Sequence, residues 1–530
     1  MKGIVLALAL MTMALAAAAA SGETAIPRFA EETAPSGLAH SFTGEWTFMV
    51  GGGAAVFDCN GDLRPEVLLA GGTAPAQLFR NDSAPGGALA FAALPDSGLA
   101  IDQVSGAWPL DIDGDGITDL ALLRVGPDRL MRGLGDCRFE EASADWGFDG
   151  LDLWSTAFAA TWEKGQSWPT LAVGSYIDRR QEAFPWGSCT PNHLYRPAPG
   201  GGYGAALPLS PGFCALSILF TDWNRSGRPS LRVSNDREYY KGGQEQLWHF
   251  PADGPPRLYT PEEGWAKLRI WGMGIAQSDV TGDGYPDYFL TSMADNKLQV
   301  LKDPASGKPQ YADQAFKRGV TAHRPFTGGD PRPSTAWHAE FTDVNLDGRV
   351  DLYVVKGNVW QMPDFAEKDP NNLLIQNEDG SFTEAAETAG VLSFAEGRGG
   401  AAVDLNADGL PDLIAVNRNA PTQVWRNLGG PGMGHFLALR LSQPQGNRDA
   451  VGAIVEIRAP GLPVQTREIT VGGGHGGGHL APLHVGLGTA ETAEIRITWP
   501  GTAGPGPWQS LAADRVWLLA EQAKPVPIAP

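Results

Sequence analysis

Nine residues decide the fold of this chain: residues 404–412, with the sequence D-L-N-A-D-G-L-P-D. Asp404, Asn406 and Asp408 alternate along a turning backbone, so their side-chain oxygens can converge on one point, while Gly409 permits the bend and Asp412 closes the cage. This spacing predicts a calcium loop. The flanking runs, G-A-A-V and L-I-A-V, are short and apolar like strands, unlike the helices around an EF-hand loop. The loop is therefore predicted at the tip of a β-hairpin.

The same loop recurs along the chain, and such internal repeats are the mark of a repeat architecture. The seven copies begin at Asp58, Asp111, Thr161, Asp222, Asp279, Asp343 and Asp404. Successive copies are 50 to 64 residues apart. The copies at Thr161 and Asp222 keep the frame but lose ligand positions, whereas the other five keep them. The sequence therefore predicts seven repeat units.

Five of these loops are predicted to hold Ca²⁺, about five ions per chain, because carboxylate and amide oxygens suit this ion. The predicted ligands are Asp58, Asn60, Asp62, Glu66, Asp111, Asp113, Asp115, Asp119, Asp279, Thr281, Asp283, Asp287, Asp343, Asn345, Asp347, Asp351, Asp404, Asn406, Asp408 and Asp412. A structural role for the metal is favoured over a catalytic one.

Each unit is predicted to contain four strands, with the calcium loop between the first and the second. The fourth strand has a copy at the other end of the chain, because residues 28–37 repeat its pattern before the first loop. A chain that begins with a fourth strand and ends its repeats with a third can close a ring without free sheet edges. The sequence thus predicts an all-β fold, a closed seven-bladed β-propeller over residues 25–430.

A second, smaller domain is predicted after the glycine-rich linker 429–434. Five strand-like runs separated by Gly and Pro turns indicate a β-sandwich or barrel over residues 435–522, followed by a tail at 523–530. At the other end, residues 1–20 have one basic residue, an apolar run and a small-residue stretch. This pattern predicts a cleavable signal peptide and an exported protein, periplasmic or extracellular, with no membrane span in the mature chain.

Composition agrees with an exported all-β protein. The chain has 68 Gly and 41 Pro in 530 residues, and its formal charge of −20 excludes general nucleic-acid binding by phosphate neutralisation. Four cysteines permit three disulfide pairings in an oxidising compartment. The pair Cys189–Cys214 is favoured because both lie within one repeat length, which leaves Cys59 with Cys137.

These motifs resemble a known combination of families. The loops with their short flanking strands are similar to the FG-GAP, or VCBS, calcium-binding propeller repeats. The tail resembles the ASPIC and UnbV module through N-R-D-A-V-G-A from Asn447, T-R-E from Thr466, H-V-G-L-G from His484 and I-T-W-P from Ile497. Together they are similar to the cartilage acidic protein family, which implies secretion, calcium and an adhesion or accessory role. The glycine-rich H-G-G-G-H from His475 departs from that pattern and is interpreted as a turn.

A ligand face is predicted opposite the calcium loops, where the long loops between second and third strands and between units meet. These loops are rich in aromatic and basic residues. The candidates are Arg179, Arg180, Trp186, Arg237, Tyr239, Tyr240, His323, Arg324, Arg332 and Trp360. Rings that stack and arginines that pair with carboxylates indicate an anionic or carbohydrate-like ligand, or a protein.

Two other functions stay open. A calcium-supported polysaccharide lyase would need a base such as Tyr239, Tyr240 or His323 beside the arginines. No motif in the sequence demands catalysis, and no catalytic residue is assigned. A periplasmic assembly or biosynthesis accessory factor would act on a protein partner. The favoured interpretation is a calcium-binding protein that acts by binding.

Overall fold

The computed structural model describes residues 24–181, 187–237, 242–251, 254–360 and 362–528, and the predicted signal peptide lies outside them. The described chain is almost entirely β. Its helices have four residues each and are α1 (Thr33–Ser36), α2 (Ala315–Arg318) and α3 (Ala386–Ala389). Short 3-10 turns lie at Trp46–Phe48, Pro95–Ser97 and Pro304–Ser306.

Seven groups of four strands fill the region from residue 29 to residue 427. The strands are β1 (Phe29–Glu31), β2 (Ala54–Phe57), β3 (Glu66–Leu69), β4 (Gln77–Asn81), β5 (Phe91–Ala93), β6 (Val104–Leu110), β7 (Asp119–Pro127), β8 (Arg129–Gly133), β9 (Phe139–Glu141), β10 (Asp152–Thr161), β11 (Thr170–Ser175), β12 (Asn192–Tyr195), β13 (Leu207–Leu209), β14 (Ala215–Thr221), β15 (Ser230–Asn235), β16 (Gln246–His249), β17 (Arg257–Leu258), β18 (Gly272–Ser278), β19 (Asp287–Ser292), β20 (Lys297–Leu301), β21 (Tyr311–Asp313), β22 (Ala336–Thr342), β23 (Asp351–Lys356), β24 (Asn372–Gln376), β25 (Phe382–Glu384), β26 (Gly397–Val403), β27 (Asp412–Asn417) and β28 (Gln423–Asn427).

Within each unit the strands pair antiparallel in chain order, as β2-β3-β4-β5 does. The last unit is completed from the N-terminus, because β1 pairs with β28 and places Phe29 opposite Asn427. The predicted strand donation by residues 28–37 is thus observed. The second and third units also share a sheet, since the start of β10 pairs with the end of β7.

The first strand of each unit forms a set that we name the inner strands: β2, β6, β10, β14, β18, β22 and β26. Each inner strand contacts the inner strand of the next unit, and β26 contacts β2. They are rich in Gly and Ala and almost wholly buried, because small side chains let the backbones approach closely. Large side chains such as Trp108, Trp337 and Trp425 fill the space between units.

The C-terminal domain is a sandwich of two four-stranded sheets. The eight strands of these sheets are β29 (His435–Ser442), β30 (Ile454–Arg458), β31 (Gln465–Glu468), β33 (Leu483–Gly488), β34 (Thr492–Thr498), β35 (Gln509–Ala512), β36 (Arg515–Ala520) and β37 (Val526–Ile528). The short strand β32 (His479–Leu480) lies between β31 and β33 in the chain and pairs with β2 of the first unit. One sheet has the order β33-β29-β36-β37 and the other β31-β30-β34-β35. Buried residues of both sheets form one core.

The last described strand lies beyond residue 522, where the sequence predicts the end of this domain. Residues 526–528, expected in a tail, pair with Leu518, Trp517 and Val516 of β36. The free edge of β36 offers unpaired backbone groups, and the end of the chain satisfies them. The domain therefore extends to the last residues that the structure describes.

Two disulfides link the four cysteines, Cys59 with Cys137 and Cys189 with Cys214. This is the favoured pairing of the three. The first bridge joins the loop of the first unit to the second unit, and the second joins the third unit to the start of the fourth. None of the described helices is long or apolar enough to cross a membrane.

Candidate functional site

The five acidic loops share one backbone geometry. In the loop at 404–412, the two oxygens of Asp404 accept hydrogen bonds from the amides of Asp408 (3.2 Å) and Gly409 (2.8 Å). Asp412 begins the second strand and accepts the amides of Leu405 (2.9 Å) and Asn427 (2.8 Å). The closing carboxylate thus links the loop to the third strand. In the other four loops the first carboxylate likewise accepts two loop amides, and the closing carboxylate accepts the amide of the residue after the first one.

The loop at 111–119 brings its carboxylates closest together. Carboxylate oxygens of Asp111, Asp113 and Asp115 all lie within 4.8 Å of one another. Hard oxygen donors at this separation fit a calcium ion. In two other loops the third predicted ligand forms an ion pair with an arginine. Arg64 pairs with Asp62, and Arg349 pairs with Asp347.

Burial makes the ionised form of these carboxylates costly. Burial raises the pKa of Asp404 and of Asp343 to about 7, and the neighbouring Asp408 and Asp347 add to the shift. For Asp119 burial raises the pKa to about 8, and for Glu66 to about 7. A cation beside such groups offsets both burial and mutual repulsion. The loops therefore have the electrostatics of a site that needs a positive charge.

Cys59, Glu66 and Cys137 also lie close together. Because the two sulfurs form a disulfide, this group offers no thiolate for a metal. Glu66 instead accepts the amide of Cys59 at 3.0 Å and the side-chain amide of Asn60 at 3.0 Å. The first loop thus keeps its closing carboxylate inside the loop.

The two degenerate loops are closed by other contacts. Asp222 accepts the amides of Ser226 and Gly227, but its own amide donates to Glu468 of the C-terminal domain at 2.9 Å. In the third unit, the Thr170 hydroxyl donates to Glu163 at 2.8 Å. Hydrogen bonds between side chains therefore replace the closing carboxylate in the third unit.

The C-terminal domain covers the face that carries the acidic loops. Arg448 and Asp449 contact Asp111, with Asp449 accepting its amide at 3.1 Å. The amide of Gly488 donates to the carbonyl of Leu346 at 2.8 Å, and His484 Nε2 donates to the carbonyl of Gly409 at 2.9 Å. Further contacts reach the first, third and fourth loops through Arg440, Gly446 and Glu468. This face is therefore an interface within the chain.

A glycine-rich segment of that domain enters the space between the inner strands. We name residues 471–478 the glycine loop. Its contacts with inner strands are Val471 with Ala160, Gly472 with Leu219, Gly474 with Ile275 and Gly477 with Ala107. The next residue, His479, pairs with Val56 of β2. The sequence indicated only a turn here, and the structure shows a segment surrounded by several units.

His475 is the buried polar side chain of the glycine loop. Its Nε2 accepts the amide of Gly51 at 3.1 Å, and its ring lies 5.0 Å from the ring of Trp337. Its own amide donates to Nδ1 of His338 at 3.1 Å. Burial lowers the pKa of His475 to about 3, and the charges of Arg398 and His338 add to the shift. His475 is therefore neutral in the folded protein.

Acid is expected to destabilise the protein through His475. Because its pKa lies below the ordinary value of 6.5, the unfolded state binds more protons, so stability is lost as the pH falls below that value. From pH 7 to about pH 4.5 the loss from this residue is on the order of 2 to 3 kcal/mol. Denaturant unfolding at both pH values, in the wild type and in His475→Gln, measures it. An identical pH dependence in the two proteins would contradict the assignment.

The predicted ligand-face arginines lie mostly beside carboxylates. Arg180 pairs with Asp178 at 2.8 Å and Arg332 with Asp330 at 2.6 Å. Similar pairs join Arg179 to Asp152, Arg237 to Asp236 and His323 to Asp295, whereas Arg324 is exposed. Trp186, Tyr239 and Tyr240 lie outside the described residues. Anions would compete with these ion pairs, so the structure offers less free positive charge than the sequence indicated.

Aromatic residues missed by the sequence analysis lie around Trp360. We name Trp46, Trp271, Trp360 and Phe365 the aromatic face. The rings of Trp46 and Trp360 are 6.3 Å apart, those of Trp271 and Phe365 6.4 Å, and Arg418 lies 5.2 Å from the Trp360 ring. Trp46 and Trp271 precede inner strands, while Trp360 and Phe365 lie between a second and a third strand. Both positions are at the end opposite the acidic loops.

Family models match both parts of the chain. An FG-GAP-like repeat model matches residues 343–415, which run from the acidic loop of the sixth unit into the second strand of the seventh. A model described as ASPIC and UnbV matches residues 443–526, most of the C-terminal sandwich. The chain is an FG-GAP repeat protein with a C-terminal ASPIC and UnbV domain. In this FG-GAP repeat protein, the domain that covers the acidic loops is thus the ASPIC and UnbV domain.

Solved structures resemble this FG-GAP repeat protein only distantly. One, the BBS1N–ARL6DN complex soaked with lead, has 11% identity and a TM-score of 0.41, and covers 74% of this chain and 94% of that chain. A lectin from Agrocybe aegerita that recognises non-reducing terminal N-acetylglucosamine has 16% sequence identity and a TM-score of 0.32. The match covers 73% of this chain and 79% of that chain. A variant of AofleA from Arthrobotrys oligospora, in which three arginines are replaced by alanine, has 11% sequence identity and a TM-score of 0.36. The match covers 64% of this chain and 88% of that chain. A search of curated proteins gives no match.

Proposed function

We propose that this chain is an exported calcium-binding protein that acts by binding, through the aromatic face of a closed seven-bladed propeller. The observation that carries the proposal is the division of the two faces. The ASPIC and UnbV domain covers the acidic loops, so a partner has access to the opposite end of the units, where the aromatic face lies.

The arrangement of strands supports the closed ring. Seven four-stranded units follow one another, β1 completes the last of them, and inner strands contact one another from β2 through to β26 and on to β2. A ring closed in this way leaves few free edges. The glycine loop, surrounded by inner strands of several units, supports the same arrangement.

The donor set of the five loops supports calcium. Each loop presents a first carboxylate, two further oxygen side chains and a closing carboxylate, and burial raises the pKa of several of them. Calcium would keep these groups ionised and link the first strand of a unit to its second. Its role here is structural, because the loops lie against the ASPIC and UnbV domain.

Two observations support export. The cysteines form two disulfides, which persist in oxidising compartments. Residues 1–20 have the pattern of a signal peptide. Periplasmic and extracellular locations both fit.

The aromatic face supports a carbohydrate-like or anionic ligand. Indole rings offer flat apolar area for a sugar ring, and Arg418 beside Trp360 adds a positive charge. Trp271 is 46% exposed. Each of the two ring pairs joins residues of two different units, so the fold and not the local sequence builds this surface.

Retention on immobilised polygalacturonate and dextran tests this face. Trp360→Ala is expected to weaken retention at least tenfold, because aromatic anchors dominate such contacts. Trp508→Ala is the matched control, since this indole also lies beneath arginines but belongs to the C-terminal domain. Equal retention of the wild type and both variants would contradict ligand binding at the aromatic face.

A further inference from the structure

A cavity of about 790 Å³ lies between the ASPIC and UnbV domain and the repeat units. It lies beside the glycine loop and is lined by residues of the first, second, fourth, fifth, sixth and seventh units and by β36. Its volume falls in the range of roughly 300 to 1,000 Å³ that is typical of small-molecule sites, which occur preferentially at domain interfaces. It is separate from the aromatic face, which lies at the other end of the units.

A carboxylate held between two imidazoles lies in this cavity. Oε1 of Glu340 is 2.8 Å from Nε2 of His479, and Oε2 is 3.5 Å from Nε2 of His338. Nδ1 of His338 accepts the amide of His475, so its proton is on Nε2 and faces Glu340. Oε2 of Glu340 also accepts the amide of Ala402 at 3.1 Å. These contacts fix the position of Glu340.

His479 is open to the cavity although it is held by Glu340. Its side chain is 36% exposed, whereas that of Glu340 is 16% exposed. Burial disfavours the protonated imidazole and by itself lowers the pKa of His479. The negative charge and the hydrogen bond of Glu340 outweigh this effect, so the pKa of His479 is raised. With Nε2 bound to Glu340, the other ring nitrogen remains for a second partner. An oriented imidazole of this kind is a good anion ligand.

Two arginines that line the cavity add positive charge. Arg515 is exposed at the start of β36. Arg467 donates to the carbonyl of Thr466 and to Gln465, and its charge faces Asp279 and Asp343. Two further carboxylates of the lining have nearby basic side chains: Glu468 pairs with Arg225, and an oxygen of Asp514 lies 2.7 Å from Nδ1 of His435.

The balance of charge depends on the acidic loops. Asp279, Asp343 and Asp404 line the cavity and belong to the loops proposed to hold calcium. With calcium bound, their negative charge would be compensated. Glu340 balances His479, and Arg467 and Arg515 outnumber the remaining carboxylate of Asp514. This step rests on the proposed function.

We propose that the cavity binds a small organic anion through its carboxylate, with His479 and Arg515 as the contacting groups and Glu340 as the residue that positions His479. The ligand is of the size of a monosaccharide acid or a dicarboxylic acid. The site is built by both domains, so neither domain forms it alone.

Isothermal titration calorimetry of the calcium-loaded full chain tests this proposal. The probes are the carboxylates galacturonate and succinate. Galactose is the uncharged control for galacturonate, and sulfate is the inorganic anion control. We expect at least one carboxylate to bind and galactose not to bind. The double variant His479→Gln, Arg515→Gln is expected to weaken that binding at least tenfold. The matched control is Arg458→Gln, an exposed arginine of the same domain that pairs with Glu494 outside the cavity.

Three results would overturn the proposal: no carboxylate binds, sulfate alone binds, or the double variant binds as well as the wild type. Metal analysis of the same samples separates this test from the calcium proposal. If the double variant retains its calcium and its melting temperature but loses the carboxylate, the cavity is the site. If Trp360→Ala loses the carboxylate and the double variant does not, the ligand binds at the aromatic face.

Discussion

Removal of calcium with excess chelator is expected to lower the free energy of unfolding by roughly 7 kcal/mol. A site with a Kd of about 0.1 mM in millimolar calcium contributes about 1.4 kcal/mol, and five such sites are predicted. The total is comparable to the whole stability of a typical domain. The physical reason is that calcium replaces protons on buried carboxylates such as Asp404, Asp343 and Asp119.

Thermal melts of the mature protein in millimolar calcium and in chelator measure this effect, with metal analysis of the purified sample. Asp404→Asn is expected to remove one ion and part of the shift. Asp222→Asn is the matched control, because Asp222 also accepts two loop amides but lies in a loop without a full ligand set. No bound metal and no shift in melting temperature would mean that the loops keep their shape without an ion.

Substitution of Gly53 or Gly477 by Ala is expected to cost about 3 kcal/mol each, because overpacking at rigid backbone cannot relax. A Cβ on Gly53 would lie 1.6 Å from the carbonyl oxygen of Gly476, and one on Gly477 would lie 2.1 Å from the carbonyl oxygen of Ala54. Both atoms belong to backbone, so the glycine loop would have to leave the inner strands. The two changes act on one contact, and their effects are expected not to add.

Denaturant unfolding and limited proteolysis measure this second effect. Cleavage within residues 471–478 should become faster in both variants as the glycine loop is expelled. Gly204→Ala is the matched control, since a Cβ there has nothing within 4 Å and the change in chain entropy is the same. Wild-type stability and protection in Gly53→Ala would show that the loop does not occupy this position in solution.

Calcium removal and the glycine substitutions both affect the contact between the two domains. The ASPIC and UnbV domain contacts the acidic loops and also fills the space between the inner strands. Loss of calcium would therefore loosen the interface as well as the individual units. If chelator alone increases cleavage of the glycine loop, the metal and the domain contact are coupled.

Most of the repeat architecture could be predicted from the sequence because each signal is local. The acidic loop is nine residues long, and apolar runs on both sides of it mark the strands, as at Asp404 and Asp412. The N-terminal strand could be predicted because residues 28–37 repeat a pattern found within the chain, and β1 pairs with β28 as expected. The Cys189–Cys214 bridge could be predicted because both residues lie within one repeat length, and the Cys59–Cys137 bridge followed by elimination.

The candidate site was predicted only in part. The ligand-face arginines were recognised by composition, but composition does not show that Arg180 and Arg332 lie beside Asp178 and Asp330. Trp46 and Trp271 were missed because they stand alone in the sequence, and only the curvature of the units brings them near Trp360 and Phe365.

The sequence by itself determined the all-β class, the seven units and the acidic loops, since those features depend on residues close together in the chain. Tertiary structure alone decided where the second domain docks and what the run from Gly472 to His479 does. Glycines show that a backbone can approach closely, but they do not show which backbone it approaches. That choice depends on contacts with Ala54, Gly53 and Ile275, hundreds of residues away.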